Sequence, residues 1–421
     1  MKNFSGRPGN FKRKFPEKEH HRSTEEDILR FAANAINTIE KNGCTLDDLL
    51  DRDEYKELRR TLSHLLLSYF KHKKAIDAAI NTFCSKTPDA ATFALLKASL
   101  TQAMTQQRIA PQAVVNVAVE VAKKRKNHGF VNAVLRRAVE TLQKSGLPED
   151  PEKVLPDELL NKWQQEFSYE ETKQLTEAFL STPDFTFRME NQVAPESFEF
   201  SCAFTIDEKF PFGMAKAHDV LESAEFKSGK IYIQDPAASL AVHLAPDESF
   251  ENILDLCSAP GGKSLMLLEK YPDVKHFIAF DRSPKRHRLT AKNFELRNIK
   301  HPATCDRKAI EKEWDLILVD APCSNTGVFR RRPDALWRFS RNELEQAAKI
   351  QKELLEFASS HLAVNGYILY STCSIEPLED EQQISDFLKT HKNFTCIKQE
   401  KLLPRITHDG AFCAVLKKIC F

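Results

Sequence analysis

Two cysteines stand where covalent chemistry could happen. Cys323 follows Asp320-Ala321-Pro322, and Cys373 sits in Ser371-Thr372-Cys373-Ser374. Each comes directly after a short apolar run, Leu316 to Val319 and Tyr367 to Tyr370, that reads as a buried strand. Parallel strands present their C-terminal ends on one edge, where ligands bind. Both thiols should therefore face one crevice. A pyrimidine ring needs such a pair. Carbon 5 of cytosine is a poor nucleophile, and a thiolate added at carbon 6 makes it enamine-like, able to attack a methyl sulfonium. A base must then take the proton from carbon 5 so that the thiolate can leave. Asp320 suits the charge near the ring's N3 and exocyclic amine.

The third element of the crevice is Asp255-Leu256-Cys257-Ser258-Ala259-Pro260-Gly261-Gly262-Lys263-Ser264, a strand breaking into a glycine loop and then a helix. It imitates a phosphate-binding loop, G-x-x-x-x-G-K-[ST], down to Gly-Lys-Ser, but Cys257 occupies the first glycine's position. A nucleoside triphosphatase is thus the rival from another reaction class. Asp281, ending the next strand about 20 residues on, argues for a ribose contact instead. Gly261 and Gly262 let the backbone close on the cofactor's amino-acid end, and the helix N-terminus favours its carboxylate. S-adenosyl-L-methionine has both ends and no phosphate. Asp306 could reach an adenine amine, though on pattern alone it is a loop acid. Arg286, following Asp281, completes the cofactor set.

These residues need a sheet to position them. From Ile231 onward strands alternate with helices, the signature of a parallel sheet, with strands expected at 253–256, 277–281, 315–319 and 367–371. A pair near 394–399 and 411–416 could form an antiparallel edge. Upstream, Ser23-Thr24-Glu25-Glu26 reads as a capping box opening a helix with Ile28, Phe31, Ala32, Ala35, Ile36 and Ile39 on one face. Helical pattern runs to about residue 145, broken near Pro88 and Pro111, with no strand candidate: an all-α domain of five to seven helices. Two more helices, 157–166 and 169–180, and alternating runs at 185–188 and 198–204 suggest a small α+β subdomain. The expected division is a basic tail, 1–22; a helical domain, 23–145; the small subdomain, 146–228; and the crevice-bearing domain, 229–421.

Composition sets the bounds. The chain has 421 residues, 42% hydrophobic, enough for several real cores, and a net charge of +1 that by itself says nothing about an anionic partner. Its 10 cysteines show no CxxC pair, so neither a metal site nor a disulfide framework is expected. No signal-like or membrane-spanning run is seen; a soluble, cytoplasmic protein, expected to be a monomer, follows. Local basic clusters must carry any argument for nucleic acid. Lys123, Lys124, Arg125 and Lys126 precede Arg136 and Arg137, a phosphate-binding face or a solvated helix end. The tail holds seven basic residues against two acids, with Phe4, Phe11 and Phe15 interleaved.

Asp-Leu-Cys-Ser-Ala-Pro-Gly-Gly-Lys, Asp-Ala-Pro-Cys-Ser-Asn-Thr-Gly and Ser-Thr-Cys-Ser together resemble the motifs of RNA cytosine-5 methyltransferases of the RsmB/Fmu (Sun) type. Gln234-Asp235-Pro236-Ala237-Ala238, Arg331-Arg332-Pro333-Asp334 and His408-Asp409-Gly410-Ala411-Phe412 follow the same pattern, and Val131-Asn132-Ala133-Val134-Leu135-Arg136 resembles the end of that family's NusB-like RNA-binding domain. The resemblance covers all but residues 1–22. It implies a multidomain protein: an all-α NusB-like domain, a small α+β linking subdomain and an α/β Rossmann-like S-adenosyl-methionine-dependent methyltransferase domain. It further implies Cys373 as nucleophile, Cys323 for product release, Asp320 and Lys263 beside them, and cofactor contacts at Cys257, Ser258, Ala259, Pro260, Gly261, Gly262, Lys263, Asp281, Asp306 and Asp320. Cys305 stands where the family usually has glycine. RNA contacts are expected at Lys123–Lys126, Arg136, Arg331 and Arg332, and the implied substrate is a cytosine in small-subunit (16S) ribosomal RNA. DNA cytosine methyltransferases attack with the Pro-Cys thiol instead, and spacing alone does not choose between the two. A transfer-RNA methyltransferase of the same chemistry and a non-catalytic NusB-like RNA-binding factor are the other readings.

Overall fold

The computed structural model describes residues 24–106 and 108–420. The basic tail lies outside them. The first helix, Glu25–Asn42, opens one residue later than the sequence pattern suggests: Thr24 is the N-cap and the reciprocal bonds run between Thr24 and Asp27. Gly43, at φ 64°, closes it in the left-handed conformation that glycine adopts without strain. Leu46–Leu50, Arg59–Thr82, Ala90–Thr105, Pro111–Lys123 and His128–Ser145 complete six α-helices around one apolar core. Asp89 caps one of them and Pro111 begins another, so the two proline-marked breaks are helix boundaries.

The helices Asp157–Glu166 and Tyr169–Leu180 lie where the pattern placed them, but they do not stand apart. Trp163, Leu175 and Phe179 share a core with Phe329, Leu336 and Ile375, which flank the two candidate thiols. The small sheet has four antiparallel strands, β1 (Thr186–Met189), β2 (Ser201–Cys202), β3 (Phe212–Met214) and β4 (Ile231–Ile233), in the order β2-β3-β1-β4. Here the structure departs from the sequence reading. Ile231–Ile233 does not begin the parallel sheet but pairs antiparallel with β1, so the small sheet extends past residue 228. A three-residue apolar run carries no signal of which neighbour it will pair with.

The large sheet holds β5 (Asn252–Asp255), β6 (His276–Phe280), β7 (Ala303–Thr304), β8 (Trp314–Asp320), β9 (Leu362–Thr372), β10 (Phe394–Leu402) and β11 (Ala411–Lys418). Its order is β10-β11-β9-β8-β5-β6-β7. β5 to β9 are mutually parallel, and β10 and β11 form the antiparallel edge. Alternation sorts side chains between two cores: Ile253, Leu316, Leu318, Tyr367, Leu369, Cys413 and Val415 on one face, Leu254, Ile317, Val319, Ile368, Tyr370, Phe412 and Ala414 on the other. Cys413 thus packs as a small hydrophobe. The chain runs outward from β5 to β7, then returns to place β8 on the opposite side of β5. That reversal opens a crevice beyond the strand ends. Among the described residues no helix is long and apolar enough to cross a membrane.

Candidate active site

β8 and β9 are adjacent, with Asp320 paired to Ser371, so the segments leaving them run side by side. Ala321 N–H donates to the Ser371 carbonyl at 2.8 Å. A few residues on, the thiols of Cys323 and Cys373 meet at 3.1 Å, both unoxidised and partly buried. Asn325, at φ 63°, returns its side-chain amide to the Cys323 carbonyl and offers its oxygen to Cys373 Sγ at 3.5 Å. The Cys323 thiol is pushed well above the usual range, first by the hydrogen bond it shares with Cys373, then by burial and by the neighbouring negative charges of Cys373 and Glu379. These surroundings favour the protonated form of Cys323.

Gly327 sets how closely the two segments approach. Its N–H donates to the Cys373 carbonyl at 3.0 Å, and Gly410 N–H donates to the Gly327 carbonyl at 2.7 Å. A Cβ on Gly327 would lie 2.6 Å from the Cys373 oxygen and 2.9 Å from Gly410 Cα, backbone atoms that cannot rotate away. Gly410 is fixed in turn by a buried clamp. Arg330 and Arg331 both reach Asp235 Oδ2, at 2.7 Å each, and both also bond Asp409. Arg331, read in the sequence as an RNA contact, turns its guanidinium inward onto these two carboxylates. Arg332 remains more than half exposed, 3.7 Å from Asp47 of the helical domain.

Beside the thiols, Lys263 Nζ donates to Asp320 Oδ2 at 2.8 Å. Burial works against the Lys263 charge, but the Asp320 carboxylate more than offsets it and holds the ammonium above its usual range. This lysine therefore answers a carboxylate rather than standing free for phosphates. Gly261, at φ 105°, precedes the helix Gly262–Lys270 and supplies no side-chain cap, so the first-turn amides stay available. Asp255 ends β5 completely buried; Ser264 Oγ donates to one oxygen at 2.6 Å and the other has no protein partner. Burial pushes its carboxyl up to about 7. Asp281 follows β6, one oxygen taken by Ser283 N–H at 2.9 Å and the other 3.7 Å from Arg286 Nε. Arg286 also donates to the Ala259 carbonyl at 3.1 Å, tying the loop to this acid. Asp306 caps a short turn by accepting from Lys308 N–H. Burial pushes the Cys257 thiol far up, which leaves that residue its backbone and its bulk. A bent glycine loop, an uncapped helix start and an acid with one oxygen open suit a ligand that has ribose hydroxyls and an amino-acid end.

The sequence brought the strand ends, the loop and the thiols to one edge. It did not reveal Asn325, Arg330 or Glu379, each of which has a partner tens of residues away. The basic residues are elsewhere, all exposed on the helical domain: Lys123–Lys126 where the helices Pro111–Lys123 and His128–Ser145 meet, Arg136 and Arg137 midway along the second of these.

Comparison with known proteins finds two matched stretches. Residues 26–140 match the NusB family, and residues 241–411, which contain every element of the crevice described above, match the family of 16S rRNA methyltransferase RsmB/F. Residues 241–411 thus form an RsmB/F-type methyltransferase domain, preceded by a NusB-type domain. A probable ribosomal RNA small subunit methyltransferase B of Bacillus subtilis (strain 168) is 28% identical over 419 residues, 90% of this chain and 92% of its own. The ribosomal RNA small subunit methyltransferase B of Proteus mirabilis (strain HI4320) is 37% identical over 202 residues, about half of either chain at 46% and 47%. Among solved structures, PH0851 superposes over 94% of this chain and 99% of its own with a TM-score of 0.71, at 21% identity, a likeness of fold. An RsmB/F-type chain is an S-adenosyl-methionine-dependent methyltransferase, and the triphosphatase alternative falls with that assignment.

Proposed function

We propose that this RsmB/F-type enzyme methylates carbon 5 of a cytosine in small-subunit ribosomal RNA, through a covalent bond between Cys373 and carbon 6. The observation that carries the reading is the 3.1 Å contact of two free thiols at the ends of adjacent parallel strands, beside Lys263 and Asp320. The names of the family and of the relatives support the substrate class.

Cys373 is the nucleophile in this reading: it gives its proton to water, while its hydrogen bond to Cys323 and burial favour the protonated form of Cys323. The Cys373 Sγ lone pair forms the bond to carbon 6, and the ring's electron pair moves to carbon 5. When bound, S-adenosyl-methionine supplies an electrophilic methyl group for that carbon. Asp320, itself oriented by Lys263, can accept a hydrogen bond from the exocyclic amine or a protonated N3. The attack also changes Cys323. Cys373 becomes a neutral thioether, so the hydrogen bond and the charge that kept Cys323 protonated disappear together. Cys323 can then lose its proton to water and, as a thiolate, take the proton from carbon 5. That C–H pair restores the carbon 5–carbon 6 double bond, and the Sγ–carbon 6 pair returns to Cys373. Attack by Cys373 thus removes two of the causes that favour the protonated form of Cys323 at the point where a base is needed. The direct test is transfer of labelled methyl to deproteinised rRNA and tRNA, with mapping of the product base. Label on carbon 5 of a small-subunit rRNA cytosine is expected; label only in tRNA, or on another atom, overturns the reading.

The cofactor is held, in this reading, by the backbone of 257–263 and by Asp281, with Arg286 steadying the loop. Asp281→Ala should leave the fold intact and weaken S-adenosyl-homocysteine binding about ten- to a hundredfold, the loss of hydrogen bonds to a charged acceptor. Titration calorimetry measures it, and unchanged affinity would remove Asp281 from the site. The exposed cluster Lys123–Lys126 with Arg136 and Arg137 is the candidate RNA face. Neutralising any one of these side chains that engages a phosphate should lower the slope of log affinity against log salt by roughly 0.7–0.9. Variants that keep the wild-type slope would place the RNA elsewhere.

A further inference from the structure

The segment Glu376-Pro377-Leu378-Glu379-Asp380-Glu381 carries four acids, and three of them, Glu376, Glu379 and Asp380, are fully buried just after the Cys373 loop. Two of them have cations: Lys162 lies 2.7 Å from Glu376, and Lys401 lies 3.1 Å from Asp380. Glu379 is different. Its carboxylate accepts from Ser324 N–H at 2.9 Å, from Ser324 Oγ, and from Gln351 Nε2 at 2.9 Å, all neutral donors. The same Gln351 amide donates to the Pro322 carbonyl at 3.0 Å. Pro322 and Ser324 are the two neighbours of Cys323, so the Glu379–Gln351 pair grips the chain on either side of that thiol. Tyr370 OH donates to the Glu379 carbonyl at 2.6 Å, which anchors the grip to β9, the strand that delivers Cys373. A buried carboxylate without a cation is costly, and a neutral side chain could fill the same space. What a carboxylate adds is two acceptor oxygens that can satisfy Ser324 N–H, Ser324 Oγ and Gln351 at once.

We propose that Glu379 is a positioning residue for the release step, holding Cys323 Sγ within reach of carbon 5 while Cys373 is bonded to carbon 6. The proposal rests on the two-thiol reading above. Glu379 does not itself touch the ring; it acts through Ser324 and Cys323. Attack depends on Cys373, which β9 carries, so loosening the Cys323 segment should spare attack and the first methyl transfer and impair release.

The test compares wild type, Glu379→Gln, Ser324→Ala and Cys323→Ala with labelled RNA and cofactor. It measures first-turnover methyl transfer, the covalent adduct on denaturing gels, S-adenosyl-homocysteine affinity and the thermal midpoint. Glutamine keeps the shape but replaces one acceptor with a donor. Release should slow by about ten- to a hundredfold, with adduct accumulating, while cofactor affinity and first-turnover transfer stay near wild type. A merely structural role would lower the thermal midpoint and all activities together without enriching adduct. Should Glu379→Gln not fold, Ser324→Ala, which deletes a single donor, carries the test with slowed release as its expected result. Wild-type release in the folded variant overturns the proposal, as does loss of methyl transfer without adduct. Cys323→Ala separates the two layers: adduct there but not in Glu379→Gln removes Glu379 alone, whereas no adduct in Cys323→Ala removes the two-thiol reading on which it rests.

Discussion

Cys373→Ala will abolish turnover and form no covalent complex, whereas Cys323→Ala will attack, methylate and remain bonded to its RNA. The two thiols are 3.1 Å apart and would look interchangeable by proximity. Their segments and roles differ: Cys373 follows β9, while the hydrogen bond to Cys373, burial and the nearby negative charges favour the protonated form of Cys323. Removing Cys373 removes the thiol assigned to attack carbon 6, and Cys323, carried on the segment after β8 and assigned to carbon 5, does not take its place. Removing Cys323 leaves a nucleophile with no base behind it, so the carbon 5 proton stays and the thioether cannot break. The adduct should survive denaturing electrophoresis and form most readily at an unpaired cytosine, because the ring must leave its stack to reach both groups. The measurement is the mobility shift of labelled RNA with each single variant. Adduct from Cys373→Ala and none from Cys323→Ala would reverse the roles. Activity retained in both, without adduct, would end the covalent mechanism.

Arg330→Ala should be the most destabilising single change near the site, at about 3 kcal/mol. Arg330 is almost completely buried and joins three distant segments: it bonds Asp235 Oδ2 and Asp409 Oδ1, and its remaining nitrogen donates to the carbonyls of Arg405 and Ile406 at 3.2 and 2.8 Å. Truncation leaves two buried carboxylates facing one another. Breaking a buried pair from one side costs about 3–5 kcal/mol, and the value expected here is at the low end because Arg331 still reaches both acids. Asp409 precedes Gly410, whose N–H holds Gly327 and through it the Cys373 carbonyl. The same change should therefore blunt methyl transfer even where the protein remains folded. Denaturant unfolding, followed by a probe in the catalytic domain because a multidomain chain need not unfold in one step, measures the loss. A loss under about 1 kcal/mol would mean that Arg331 alone neutralises the pair.

Period and punctuation carried much of the architecture. Helical spacing from Ile28 to Ile39, proline-marked breaks and the helices at 157–166 and 169–180 are properties of neighbouring residues, legible without a fold. Apolar runs ending in Asp320, Thr372 and Asp255 marked strand ends, and parallel strands place such ends on one edge whatever else the chain does. The family motifs then suggested roles for residues already gathered there. The structure alone decided matters that depend on partners far along the chain. Thr186–Met189 pairs with Ile231–Ile233 across more than forty residues, and nothing local to a three-residue run selects that neighbour. Arg331 looked like a cation for RNA, but its surroundings contain Asp235 and Asp409. For the acids around Glu379 the sequence shows charge, not depth. Whether a carboxylate is solvated, ion-paired or aimed at a loop 55 residues away is settled by what packs over it, and that is a property of the folded chain.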